Sequence, residues 1–249
     1  MSSRSHPTPQ RAAALVVAVG VTCALHIGKL PPAVPALQAG LGISLVQAGF
    51  LLSLVQLAGM CLGVFVGLSA DRFGPRRVML IGLLGLALGS AWGGLADSPA
   101  MLLASRALEG LGFLLAVLPA PAIIRRHVGS PRVLARALGW WGAYMPLGTA
   151  LALLVGAPVI EGMGWRVVWL GLAFVSLLAA LGLQAALPPD AVTPGRAAPW
   201  WPRLQRTLSA PGPWLVALGF LLYSGQWLAV VGFLPTILAK GGMGGLQAD

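Results

Sequence analysis

Gly67-Leu68-Ser69-Ala70-Asp71-Arg72-Phe73-Gly74-Pro75-Arg76-Arg77 separates two apolar stretches, Leu45 to Ser69 and Val78 to Leu95. A helix that crosses a bilayer needs about 20 mainly apolar residues, and both neighbours satisfy that length. The segment between them therefore reads as a short loop at one membrane face. Its arginines mark that face, because positive charge resists translocation. Asp71 goes beyond what topology requires, and Gly74 three residues later suits a tight turn. An acidic group beside a helix terminus can also make a charge–dipole contact.

Working outward from the loop, five further spans appear: Ala12 to about Val34, Pro99 to Ile124, Leu134 to Ile160, Trp165 to Leu187, and Trp214 to Ala239. Bulk composition agrees, with 57% hydrophobic residues and only 9% charged and a mean hydropathy of +0.86. A soluble domain carries about a quarter charged residues, so this chain cannot cover a water-facing surface. The many glycines lie inside apolar stretches, where they let helices approach closely. The net charge of +10 comes in short clusters between spans, without the continuous basic face that nucleic-acid binding needs. Cys23 and Cys61 fall inside spans and suggest packing, with no disulfide framework and no metal site. Arg4 and Arg11 before an apolar run resemble a signal peptide, but six more spans follow, so the first span is expected to stay uncleaved.

Topology follows from the loops. One side carries Arg4, Arg11, Arg72, Arg76, Arg77, Arg125, Arg126, Arg132, Arg136, Arg196, Arg203 and Arg206. The other holds Arg166 and Lys240, with Lys29 near its edge, and Arg106 lies within a span. The imbalance predicts a cytoplasmic N-terminus, a multi-pass protein of the inner membrane, and an external C-terminus after seven spans. The expected domains are a six-helix bundle over 1–187, a proline-rich and basic cytoplasmic linker over 188–213, and a first helix of an incomplete second bundle over 214–249.

The loop resembles the signature of the major facilitator superfamily, Gly-x-Leu-x-Asp-Arg-x-Gly-Arg-Arg/Lys. Gly67, Asp71, Arg72, Gly74 and Arg76 match in position, followed by Arg77, while Ser69 and Pro75 depart from it. The resemblance implies an all-α membrane fold of two six-helix bundles and a cytoplasmic gating loop that clasps them when the cavity faces outward. Arg106-Ala107-Leu108-Glu109-Gly110 resembles the family's Arg-x-x-x-Gly pattern in the fourth span. Gly142-Ala143-Tyr144-Met145-Pro146-Leu147-Gly148 stands where the antiporter motif lies, with Met145 replacing a glycine. The texture is loosely similar to cyanate and nitroimidazole transporters. Because such transporters usually run to about 400 residues, the chain is expected to be truncated after the seventh helix, and Gly241 to Asp249 reads as a loop.

Charged groups inside spans cost about 2.5–3.5 kcal/mol each and are functional candidates. At about 1.5 Å per residue, His26 lies about 21 Å and Lys29 about 26 Å up the first span, and Arg106 about 10 Å below the outer surface. All three share one layer. Lys29 could instead snorkel to the interface, and Glu109 is placed to pair with Arg106 at i, i+3. His26 is either a proton carrier or a packing residue. The layer is net positive, which suggests a small organic anion as substrate. Tyr223, Gln226 and Trp227 are further substrate or coupling candidates, with Gln56, Trp141 and Tyr144 weaker. The third and sixth spans carry no internal charge and read as peripheral.

Secondary active transport by alternating access is the leading expectation. No phosphate-cradling glycine loop with lysine is present, so a proton or ion gradient is the expected drive, with no cofactor. The partners are then a small-molecule substrate, the bilayer and coupling protons. A fragment that transports nothing is the nearest rival. A seven-helix receptor or retinal protein fits poorly, since the N-terminus is cytoplasmic and Lys240 lies at the end of its helix. An enzyme is not expected, as no nucleophile–base arrangement stands out.

Overall fold

A computed structural model describes residues 8–190 and 200–240, apart from some side chains within 56–71, 200–203 and 227–240. The described residues are helical, in two compact units, Met1–Thr193 and Pro194–Asp249.

In the first unit the helices are α1 (Pro9–Gly28), α2 (Leu30–Leu41), α3 (Leu45–Phe73), α4 (Pro75–Gly94), α5 (Pro99–Val117), α6 (Ala120–His127), α7 (Pro131–Gly142), α8 (Tyr144–Met163) and α9 (Trp165–Ala186). They form six rods, because three rods are each broken once. Proline accounts for each break. Pro31 and Pro32 follow Lys29, Pro119 follows Leu118, and Pro146 follows Ala143, and each removes a backbone donor from the turn before it. Five rods are long and apolar enough to cross a bilayer: Pro9–Leu41, Pro75–Gly94, Pro99–His127, Pro131–Met163 and Trp165–Ala186. The remaining rod, α3, has 29 residues. The rods match the predicted spans to within about four residues at each end, except that the first runs on to Leu41.

Local chemistry sets the ends. Ser44 and Gln47 form a reciprocal capping box at the start of α3. Ser98 caps α5 in the same position. Between α3 and α4 the chain reverses at Gly74, whose φ of +93° is open to glycine and strained for other residues.

Packing inverts the soluble pattern. Small residues and a few large apolar ones fill the interior, while Ile81, Leu88, Leu154, Phe174 and Leu181 are exposed, as lipid-facing side chains should be. The tightest crossing is α4 on α5. A Cβ at Gly112 would lie 2.6 Å from the backbone nitrogen of Leu86 and 2.8 Å from the Gly82 carbonyl. Similarly, a Cβ at Gly28 of α1 would lie 2.7 Å from the Ala152 Cβ on α8. Three apolar clusters result among the described residues, one built around Met79, Leu83, Leu86 and Ile123, one around Leu30, Leu37, Leu51 and Trp169, and a smaller one of Val66, Ala70, Val78 and Leu114.

The second unit contains α10 (Trp200–Ser209) and α11 (Pro211–Lys240). The first of these is a helix inside the stretch read as a linker. It carries Arg203 and Arg206 with Trp201 and Leu208, and the Trp214 indole donates to the Leu208 carbonyl at 2.8 Å. With 30 residues, α11 is long enough to span. The expected terminal loop over 241–249 lies outside the described residues.

Candidate functional site

Burying lysine, arginine and glutamate together requires that each find a partner, because an unpaired charge in a low-dielectric interior is strongly disfavoured. Among the described residues of the first unit, Lys29, Arg106 and Glu109 meet that condition together. Lys29 stands at the bend between α1 and α2, and Arg106 and Glu109 stand one turn apart on α5. Lys29 Nζ donates to Glu109 Oε1 at 2.5 Å and to Ser90 Oγ at 2.8 Å. Arg106 Nη1 donates to Glu109 Oε2 and, at 3.0 Å, to the His26 carbonyl beside the bend. One carboxylate thus serves both cations, an oxygen for each.

Neutral groups complete the shell. The Lys29 ammonium sits 4.3 Å from the Trp169 ring centroid on α9, a cation–π contact that substitutes for water. Ser90 on α4 accepts from Lys29 and donates to the Trp169 carbonyl at 2.8 Å. His26 Nε2 and Ser176 Oγ are 2.8 Å apart, and His26 Nδ1 faces Glu109 Oε1 at 3.6 Å without a hydrogen-bond partner among the described residues. His26, Lys29, Arg106 and Glu109 are all 0–1% exposed. Chemically, the arrangement sets an imidazole nitrogen close to a carboxylate that two cations share.

The layer predicted from depth is therefore a contact network. Lys29 does not snorkel, because a stronger partner lies inward. Arg106 and Glu109 do pair, but with Lys29 as a third member. Ser90, Trp169 and Ser176 went unrecognised because the third and sixth spans read as peripheral. Their signal was slight: two serines and a tryptophan in otherwise aliphatic helices.

Other candidates sit elsewhere. Tyr144 stacks on Trp141 with centroids 4.3 Å apart, and the pair packs over Gly20 of α1. Tyr223 and Gln226 are on α11 in the second unit and are exposed there. The side chains of Gln56, Asp71 and Trp227 lie outside the described residues.

In the stretch expected to form a gating loop, Gly67 ends no helix; it lies within α3, and the reversal falls at Gly74. Arg72 and Arg77 are exposed. Arg76 Nη2 donates to the Gln184 carbonyl at 2.8 Å. Asp190, which sequence reading passed over, caps α4 from beyond the end of α9. Its carboxylate accepts from the backbone N–H of Arg77 at 3.1 Å and of Arg76 at 3.4 Å, and lies 3.5 Å from Arg126 Nη1. A Cβ at Gly74 would run into that carboxylate. Pro75 fits the same geometry, since a first-turn proline lacks the N–H that would need a partner. Asp190→Ala is expected to cost about 1 kcal/mol through loss of the cap, with Asp190→Asn retaining most of it. A lowered unfolding midpoint in mixed micelles for the first variant alone would show this.

Comparison with known proteins agrees with this architecture. Residues 13–248 match the Major Facilitator Superfamily. The puromycin resistance protein pur8 of Streptomyces alboniger is 37% identical over 194 residues, spanning 77% of this chain and 38% of that protein. The tetracenomycin C resistance and export protein of Streptomyces glaucescens is 33% identical over 156 residues, spanning 62% and 29%. The chain thus spans less than half the length of these relatives. Their names concern resistance and export, whereas the looser likeness noted above was to cyanate and nitroimidazole transporters. Among solved structures, a bacterial homologue of the human lysosomal transporter Spinster, inward-facing and unoccupied, aligns with a TM-score of 0.74 at 18% identity, over 96% of this chain and 57% of that one. A D-xylose–proton symporter aligns with a TM-score of 0.56 at 17% identity, over 91% and 55%. At these identities the likeness is one of fold. It joins the broken rods, the reversal at Gly74 and the match over nearly the whole sequence: this chain is a multi-pass membrane protein that belongs to the Major Facilitator Superfamily.

Proposed function

We infer that the chain supplies one half of a proton-driven secondary transporter that exports a small organic molecule by alternating access. The observation that carries this reading is the buried Lys29–Glu109–Arg106 network with His26 beside it. Charges cost too much within a membrane to be kept for packing alone, and chains of ionisable groups there serve ion and proton pathways. Protonating Glu109 would free two cations from their shared partner, which gives a proton the means to shift helix packing. Export is favoured by the relatives named for resistance, and a cytoplasmic N-terminus in the inner membrane by the distribution of arginine. In this reading 1–187 is the first bundle, 188–213 the cytoplasmic connection and 214–249 the first helix of a second body. The stretch with Gly67, Asp71, Arg72, Gly74, Arg76 and Arg77, which runs from the end of α3 through the reversal at Gly74 into α4, is the cytoplasmic gating element.

A second reading concerns the substrate. Two cations against one carboxylate leave one surplus positive charge in the layer, which favours an anionic group on the molecule carried. Arg106→Gln should then weaken carboxylate-bearing substrates selectively.

The test uses proteoliposomes holding the 249-residue chain alone, or joined to the remaining helices of the puromycin resistance protein. Puromycin movement against an imposed proton gradient is expected only from the joined protein, and a protonophore should abolish it. Gradient-driven transport by the chain alone would refute the half-pathway reading. Movement that ignores the gradient would refute proton coupling.

A further inference from the structure

We propose that the foot of the first bundle carries a binding site for the phosphate headgroup of an anionic lipid, in a cleft where the start of α4, the end of α6 and the segment after α9 meet. The cleft measures about 190 Å³ and includes Arg76, Arg126, His127 and Asp190, with Ile123 and Pro188 as apolar wall. It is distinct from the buried network of Lys29 and Glu109, and it does not depend on the transport reading.

Three observations carry the assignment. First, nitrogen donors line the cleft or stand just behind its wall. Arg76 Nε is buried and has no partner among the described residues, although Nη2 of the same guanidinium is bound to the Gln184 carbonyl. Arg126 is 54% exposed, and its nearest acid is Asp190 at 3.5 Å. His127 turns Nδ1 to the Ile123 carbonyl at 2.9 Å, leaving Nε2 for another partner.

Second, the charge balance suits a phosphodiester. Asp190 is already engaged by two backbone N–H groups of α4 as well as by Arg126. Two guanidinium groups against this one carboxylate leave one positive charge, equal and opposite to a singly charged headgroup. Arginine's planar fork matches phosphate oxygens. Arg77 and Arg125 are exposed on the adjoining turns, which extends the attraction to an anionic membrane surface.

Third, the surroundings select a lipid over a soluble anion. The helices that lead away from the cleft expose Ile81 and Leu84 on α4, and Leu178 and Leu181 on α9. Acyl chains attached to a bound headgroup would lie along these side chains, and a free phosphate would gain nothing from them.

The test is binding to the purified protein of short-chain phosphatidylglycerol, of short-chain phosphatidylcholine and of inorganic phosphate, each followed by native mass spectrometry. Phosphatidylglycerol should bind at least about fivefold more tightly than phosphatidylcholine, and Arg126→Gln should reduce that preference about fivefold. Arg126→Lys should retain part of it, and Arg136→Gln, an exposed arginine of α7 outside the cleft, should retain all of it. Equal losses from Arg126→Gln and Arg136→Gln would overturn the proposal in favour of diffuse surface attraction. So would equal affinity for the two lipids. Displacement by millimolar inorganic phosphate would overturn the lipid as occupant and leave a soluble-anion site.

Discussion

Glu109→Gln is expected to remove about 3–5 kcal/mol of stability, because it leaves buried cations without a counter-charge. Lys29 and Arg106 each hold one oxygen of this carboxylate, and all three residues are 0–1% exposed. Glutamine offers one acceptor and turns an amide toward the other cation. Water cannot easily enter, since α4 presses on the site: a Cβ at Gly89 would lie 2.8 Å from Glu109 Cγ. Lys29→Met should cost less, because it leaves Arg106 and Glu109 as a neutral pair. The double variant Lys29→Met with Glu109→Gln should recover at least half of the single loss, since Arg106 still has the carbonyls of His26 and Leu51. Unfolding midpoints of the four proteins in mixed micelles give this cycle directly. A Glu109→Gln protein within about 1 kcal/mol of the parent would contradict the network, as so small a loss is typical of exposed pairs.

Much of this fold was legible in the sequence because a membrane simplifies the problem. Span length and loop charge alone defined the rods, and Gly74 marked the reversal. The bends were less legible, although their prolines were in plain view. A proline within an apolar run ends a helix, or merely bends it when its neighbours satisfy the freed carbonyls. Only packing decides between those outcomes. The site shows the same division. Depth counting put His26, Lys29 and Arg106 in one layer, and i, i+3 spacing paired Arg106 with Glu109. What one-dimensional reasoning could not reach was which helices close around that layer. Ser90 and Ser176 carry no charge, and Trp169 looks like any apolar anchor until Lys29 is found over its ring. Asp190 was obscured differently, since it follows the last apolar turn and the backbone N–H groups it accepts from lie more than a hundred residues earlier.

Gly112→Leu should be the most damaging single change away from the charges, at about 3 kcal/mol, the upper end for overpacking. Its Cβ would meet the Leu86 nitrogen at 2.6 Å and the Gly82 carbonyl at 2.8 Å, and backbone cannot rotate aside as a side chain can. Gly171 on α9 provides the control, because nothing lies within 4 Å of a Cβ there. Gly171→Ala should stay within about 1 kcal/mol of the parent, on the stabilising side, through helix propensity. The contrast separates two roles that one residue type plays in these helices. Gly112 also governs the site at a distance. The crossing it permits continues to Gly89 and Gly93, where α4 meets Glu109 and Ser105, and it fixes how far Lys29 must reach. If Gly112→Leu parts α4 from α5, the coupling between Lys29 and Glu109 measured by the double-variant cycle should shrink along with stability. A full coupling energy in a destabilised Gly112→Leu protein would mean that the network holds its own geometry and does not borrow it from the helix crossing.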